Sequence, residues 1–159
     1  MKLVVLAVGP PRDRHMASLI QDYETRARHY FRLETVEVPA ATGVGGTPET
    51  VRAREAEHLR KRSPDGLETW ALTRDGKHVS SQELASTLSD MATYGQAGVA
   101  FLIGGTYGLD EGLLGDCSRR LALSRMTLPH EMARLVLAEQ IYRAGTILRG
   151  EPYHKGGSR

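Results

Sequence analysis

The chain has 159 residues, 40% of them hydrophobic and 25% charged, with a formal net charge of +2. These are the proportions of one globular domain, and they exclude collagen, a long coiled coil and wholesale disorder. A single cysteine, Cys117, excludes an internal disulfide framework and a multi-cysteine zinc module, and no apolar run approaches the roughly 20 residues that cross a bilayer.

Lys2–Val8 is apolar and β-branched and ends at Gly9-Pro10-Pro11, so it reads as a buried first strand and not as a secretory leader. From Arg12 to about Phe31, apolar residues recur at helical spacing (Met16, Leu19, Ile20, Tyr23, Ala27, Tyr30). Leu33–Val38 is a second strand, and the Gly-rich Ala40–Thr47 reads as a mobile loop. Pro48 suits the first turn of a helix to about Arg62. Leu67–Thr73 is a third strand followed by a turn at Asp75-Gly76-Lys77, and Ser80 with Glu83 forms a capping box for a helix to about Tyr94. Gly98–Ile103 has no charged residue and suits a strand covered on both faces. Gly104–Gly108 follows, then Asp110 as the cap of a short helix through Cys117. Leu121–Leu128 reads as a fifth strand or extended segment, and Pro129 opens the longest helix, to about Leu148.

Strands alternating with helices predict a three-layer α/β domain, residues 1–159, with a mostly parallel sheet. Ligands of such sheets sit beyond the carboxyl ends of the strands. That points to the ends after Leu72, after Ile103 and after the segment 121–128. The glycines of Gly104–Gly108 allow close backbone approach, but the pattern is neither a dinucleotide fingerprint nor a phosphate-binding P-loop. No His/Cys spacing matches a metal site, and His130, at a helix start beside Glu131, reads as a capping or surface residue. From Ser118 onward eight basic side chains face three acidic ones, leaving the rest of the chain at −3. On residue chemistry alone, this is an α/β small-ligand domain with a basic end that can steer an anion or nucleic acid.

The segments GGTYG, LALSRMTLPH, LAEQIYRA and RGEPYHK, with the opening Lys2-Leu3 and Ala7-Val8-Gly9, resemble the RlmH-type large-subunit rRNA (pseudouridine-N3-)-methyltransferases of the SPOUT class. The resemblance covers nearly the whole chain and is weakest over Pro10–Arg62. It implies a C-terminal trefoil knot and S-adenosylmethionine (SAM) as methyl donor, held by Leu72, Gly104, Gly105 and the run Leu123, Ser124, Arg125, Met126, Thr127 and Leu128. It implies a cytoplasmic homodimer acting on 23S rRNA in the ribosome. The last helix would offer Met132, Leu135, Val136, Ile141 and Tyr142 partly to its own sheet and partly to a second subunit. His154, with Arg143 and Tyr153, is the implied catalytic group, and Arg143 and Lys155 the implied substrate contacts. A SPOUT-like enzyme of tRNA or another rRNA position, and a non-catalytic ribosome-binding factor, are the rival readings.

Overall fold

A computed structural model describes residues 1–153, apart from the side chain of Val44. Five strands form one sheet: β1 (Lys2–Val8), β2 (Arg32–Val38), β3 (Glu68–His78), β4 (Gly98–Ile103) and β5 (Arg119–Ala122). Their order is β2-β1-β4-β3-β5, and every pairing is parallel. The helices are α1 (Arg14–Ala27), α2 (Pro48–Arg62), α3 (Ser81–Thr93), α4 (Glu111–Asp116) and α5 (His130–Leu148).

The period-2 alternation of a strand builds the two layers around this sheet. Leu3, Val5 and Ala7 of β1 share one face with Val99, Phe101 and Ile103 of β4, and α1, α3 and α5 cover it. Val4, Leu6 and Val8 share the opposite face with Ala100 and Leu102, beneath α2 and α4. With both faces covered, all six residues of β4 are buried, which accounts for its unbroken apolar run. A fully buried Phe101 or Leu6 stabilises the fold by roughly 2–3 kcal/mol each.

Local chemistry sets the helix limits. Asp13 accepts the Met16 N–H at 2.8 Å and starts α1 two residues later than the apolar spacing predicts; the helix stops at Ala27, short of Phe31. Ser80 and Glu83 form the full reciprocal capping box. Asp110 caps α4 by accepting the Leu113 N–H at 3.1 Å.

The edge formed by β3 and β5 departs from the sequence reading. Asp75-Gly76-Lys77 does not end the third strand: β3 continues to His78, and both Leu72 and Lys77 pair with Leu121, so the residues between them bulge. Gly76 permits this, since a Cβ there would stand 2.6 Å from the backbone of Leu121. The fifth strand is only Arg119–Ala122; residues 123–128 form an irregular loop with Met126 78% exposed.

Candidate functional site

Two adjoining cavities lie against the bulge of β3 and beyond the carboxyl end of β4, where the parallel sheet leaves its crevice. The larger, about 570 Å³, is lined by Leu72, Ile103, Gly104–Thr106, Gly108, Thr127–His130 and Ala133. The smaller, about 110 Å³, is lined by Leu72–Arg74, Leu121, Leu123, Ser124, Met126–Leu128 and Ala133. Leu72, Thr127, Leu128 and Ala133 belong to both, so the two form one cleft.

Of the nine positions implied to hold the methyl donor, eight line this cleft. Arg125 does not; it is exposed and lines neither cavity. The apolar side chains of 123–128 that read as a strand are therefore cleft walls. Ser124 shapes the loop by accepting the Met126 N–H at 2.9 Å.

The glycines form a tight turn at the cleft. The Gly108 N–H donates to the Gly105 carbonyl at 3.1 Å, and Gly108 has φ +78°, closing a tight turn. A Cβ on Gly104 would stand 2.6 Å from the Gly108 carbonyl carbon, and one on Gly105 would meet Glu55 and Val8. These residues are glycine because the turn and the core beneath it have no room, while their backbone faces the cleft.

Two residues join the site that the sequence did not single out for it. Arg74 lines the smaller cavity, donating from Nη1 to Thr127 Oγ1 at 3.1 Å; it sits in the β3 bulge, which no periodicity marks. His130 borders the larger cavity instead of capping a helix. The Arg12 N–H donates to Glu131 Oε1 at 2.7 Å, pinning the segment after β1 to the start of α5.

Arg143 and Tyr153 lie elsewhere in the chain. Arg143 donates to Glu139 Oε1 from Nε at 2.9 Å and from Nη2 at 2.6 Å, and its guanidinium lies 4.9 Å from the centre of the Tyr153 ring. The Tyr153 hydroxyl donates to the same Glu139 oxygen at 3.1 Å. Burial first, then a hydrogen bond with Tyr23 and the nearby Glu139 charge, push the Tyr153 pKa well above the usual phenol value, so it stays protonated. Hydrogen bonding to Glu139 likewise holds Arg143 charged. At about 1.5 Å per residue, Arg143 stands about 20 Å along α5 from His130 and about 15 Å from Ala133, the nearest α5 residue of the cleft. His154 and Lys155 lie outside the described residues.

Among the described residues no group of three or more His, Cys, Asp or Glu is placed to hold a metal ion, and no helix is long and apolar enough to cross a membrane.

A sequence profile of the predicted SPOUT methyltransferases matches residues 1–154. The chain belongs to the SPOUT methyltransferase family. It is 44% identical to "Ribosomal RNA large subunit methyltransferase H" of Gemmatimonas aurantiaca, over 98% of this chain and all of that one. It is 40% identical to the protein of the same name in Listeria welshimeri, with the same coverage. The fold resembles a crystal structure of a probable methyltransferase from Bordetella pertussis Tohama I: TM-score 0.53 and 16% identity, over 90% of this chain and 95% of that one. SPOUT methyltransferases use SAM, which carries an adenosine, a sulfonium and an amino-acid end. The cleft of this family member suits such a molecule, with apolar walls at Leu72, Leu123 and Leu128 and backbone polar groups from two loops.

Proposed function

We propose that this SPOUT methyltransferase methylates N3 of a pseudouridine in 23S rRNA on the assembled ribosome. The observation that carries the reading is end-to-end similarity, at 40–44% identity, to proteins named for methylation of large-subunit ribosomal RNA, in a chain whose cleft suits SAM. Leu72, the Gly104–Gly105 backbone and residues 123–128 would hold the methyl donor, which supplies an electrophilic methyl group when bound. The residues of the tail handle the acceptor. N3 bears a proton in the neutral base, so His154 takes that proton while Arg143 and Lys155 hold the developing anion and nearby phosphate.

The enzyme acts as a cytoplasmic homodimer. Arg143 stands about 15 Å along α5 from Ala133 of its own cleft, a separation that supports a partner's tail completing each site. Ile141 is spent on the core and Tyr142 on Tyr23, Tyr30 and Tyr153, but Met132, Leu135 and Val136 stay half-exposed on α5 and provide the contact. The C-terminal segment is threaded as a trefoil knot; the double pairing of β5 with β3 and its close fit against Gly76 agree with such threading.

The test is transfer of labelled methyl from SAM to ribosomes from cells lacking the gene, comparing free large subunits with assembled ribosomes and mapping the label by mass spectrometry. Label at a pseudouridine N3 only in assembled ribosomes is expected, with binding that weakens as salt rises. Label confined to tRNA, or none despite SAM binding, overturns the substrate.

A further inference from the structure

Glu55 lies on α2 with only 2% of its surface exposed. Its Oε1 accepts the Ala41 N–H at 3.0 Å, whereas Oε2 has no hydrogen-bond partner among the described residues. A carboxylate taken out of water is costly unless donors fill its acceptors. Both oxygens occupy the space a side chain at Gly105 would need: a Cβ there would stand 2.9 Å from Oε2 and 3.2 Å from Oε1. Gly105 in turn lines the cleft and, with Thr106 and His130, a second pocket of about 80 Å³ whose far wall includes Pro10, Ala40 and Thr42. One buried carboxyl group therefore meets the loop after β2 through Ala41 and the turn after β4 through Gly105.

We propose that Glu55 is a positioning residue, resting on the methyltransferase reading above, that holds the 40–47 loop and the Gly104–Gly108 turn in fixed relation. It acts through Ala41 and Gly105 and touches no substrate. The donor cleft and the small pocket beside it are thereby set by the same group.

Full-length Glu55→Ala, Glu55→Gln, Gly105→Ala and the Glu55→Ala/Gly105→Ala double variant test this by SAM affinity from calorimetry and by amide exchange at Ala41, Gly105 and Thr106. Glu55→Ala should weaken SAM about tenfold and speed Ala41 exchange, while Glu55→Gln, whose amide oxygen still accepts the Ala41 N–H, stays within about threefold. SAM should slow exchange in the turn of the parent protein but not of Glu55→Ala. Gly105→Ala should cost less in the Glu55→Ala background, because the colliding oxygen is gone. Unchanged SAM affinity and Ala41 exchange in Glu55→Ala, a Glu55→Gln as weak as Glu55→Ala, or strictly additive penalties would each overturn the role. If Glu55→Ala does not fold, Glu55→Gln and Gly105→Ala carry the test. Failure of the parent protein to bind SAM would overturn the methyltransferase reading instead; Ala41 exchange and Glu55–Gly105 coupling, read in stability, still decide the role of Glu55.

Discussion

Arg134 of α5 and Glu24 of α1 form an ion pair inside the protein: Nη2 and Nε lie 3.2 and 3.3 Å from one Glu24 oxygen, and both side chains are less than a tenth exposed. Nη1 reaches Glu37 of β2 at 2.7 Å, so the guanidinium joins three elements one residue after Ala133 of the cleft. Removing one partner of a buried pair leaves an uncompensated charge, whereas replacing both with apolar groups does not. Arg134→Ala should cost about 3 kcal/mol, because Glu24 would keep only Arg28, at 3.7 Å. Arg134→Met/Glu24→Leu should lose much less. Denaturant unfolding at constant m separates the two outcomes.

Gly104 and Gly115 predict opposite responses to one methyl group. Gly104→Ala drives a Cβ into the Gly108 backbone and should destabilise by about 1–3 kcal/mol while weakening SAM binding. Gly115→Ala meets nothing within 4 Å in α4 and should be neutral or stabilising by about 0.5 kcal/mol. Thermal unfolding with SAM calorimetry on both variants checks the pair. Equal losses would contradict the packing.

Glu139 holds both Arg143 and Tyr153 through one oxygen. Glu139→Ala should release the base of the tail at little cost in stability, since a part-exposed pair contributes about 1 kcal/mol or less. SAM affinity should stay unchanged while turnover on ribosomes falls about tenfold, the pattern of an interaction used by the acceptor and not by the donor. A matched fall in SAM affinity would place Glu139 in the wrong half of the site.

Tyr30 donates to Glu151, and that hydrogen bond, with burial and the Glu151 charge, raises its pKa from 10 to about 12. The neutral phenol is favoured in the folded state, so the stabilisation is complete below pH 10 and is lost as pH rises toward 12. Tyrosinate absorbance should show late-titrating groups, of which Tyr30→Phe removes one while Tyr153 remains. In that variant the decline in stability from pH 10 upward should be shallower.

The sequence made β1, β4 and the capped helices legible because their signals are local: unbroken apolar runs, Pro48, the Ser80–Glu83 box and Asp110. The β3–β5 edge was illegible because its register depends on a close approach, at Gly76 of β3, of two strands remote from each other in sequence. Residues 123–128 mimicked a strand for a functional reason: Leu123 and Leu128 are apolar because they wall a cleft, not because they enter the core by turns. Arg74 and His130 escaped notice since only the fold brings them to the cleft. The roles of Glu24 and Glu55 were equally hidden, because a buried carboxylate has no sequence signature apart from the partner it meets.

The pairing of Lys2 with Gly98 has a kinetic consequence. β1, made first, is flanked on one side by β2 and on the other by a strand synthesised nearly a hundred residues later. At about 5–20 residues per second, a nascent chain carries the apolar edge of Leu3–Val8 without its second neighbour for on the order of ten seconds. Such distant pairing also slows refolding relative to a helical domain of equal length. Chaperone supply and translation speed before the fourth strand emerges are therefore expected to affect the yield of this protein.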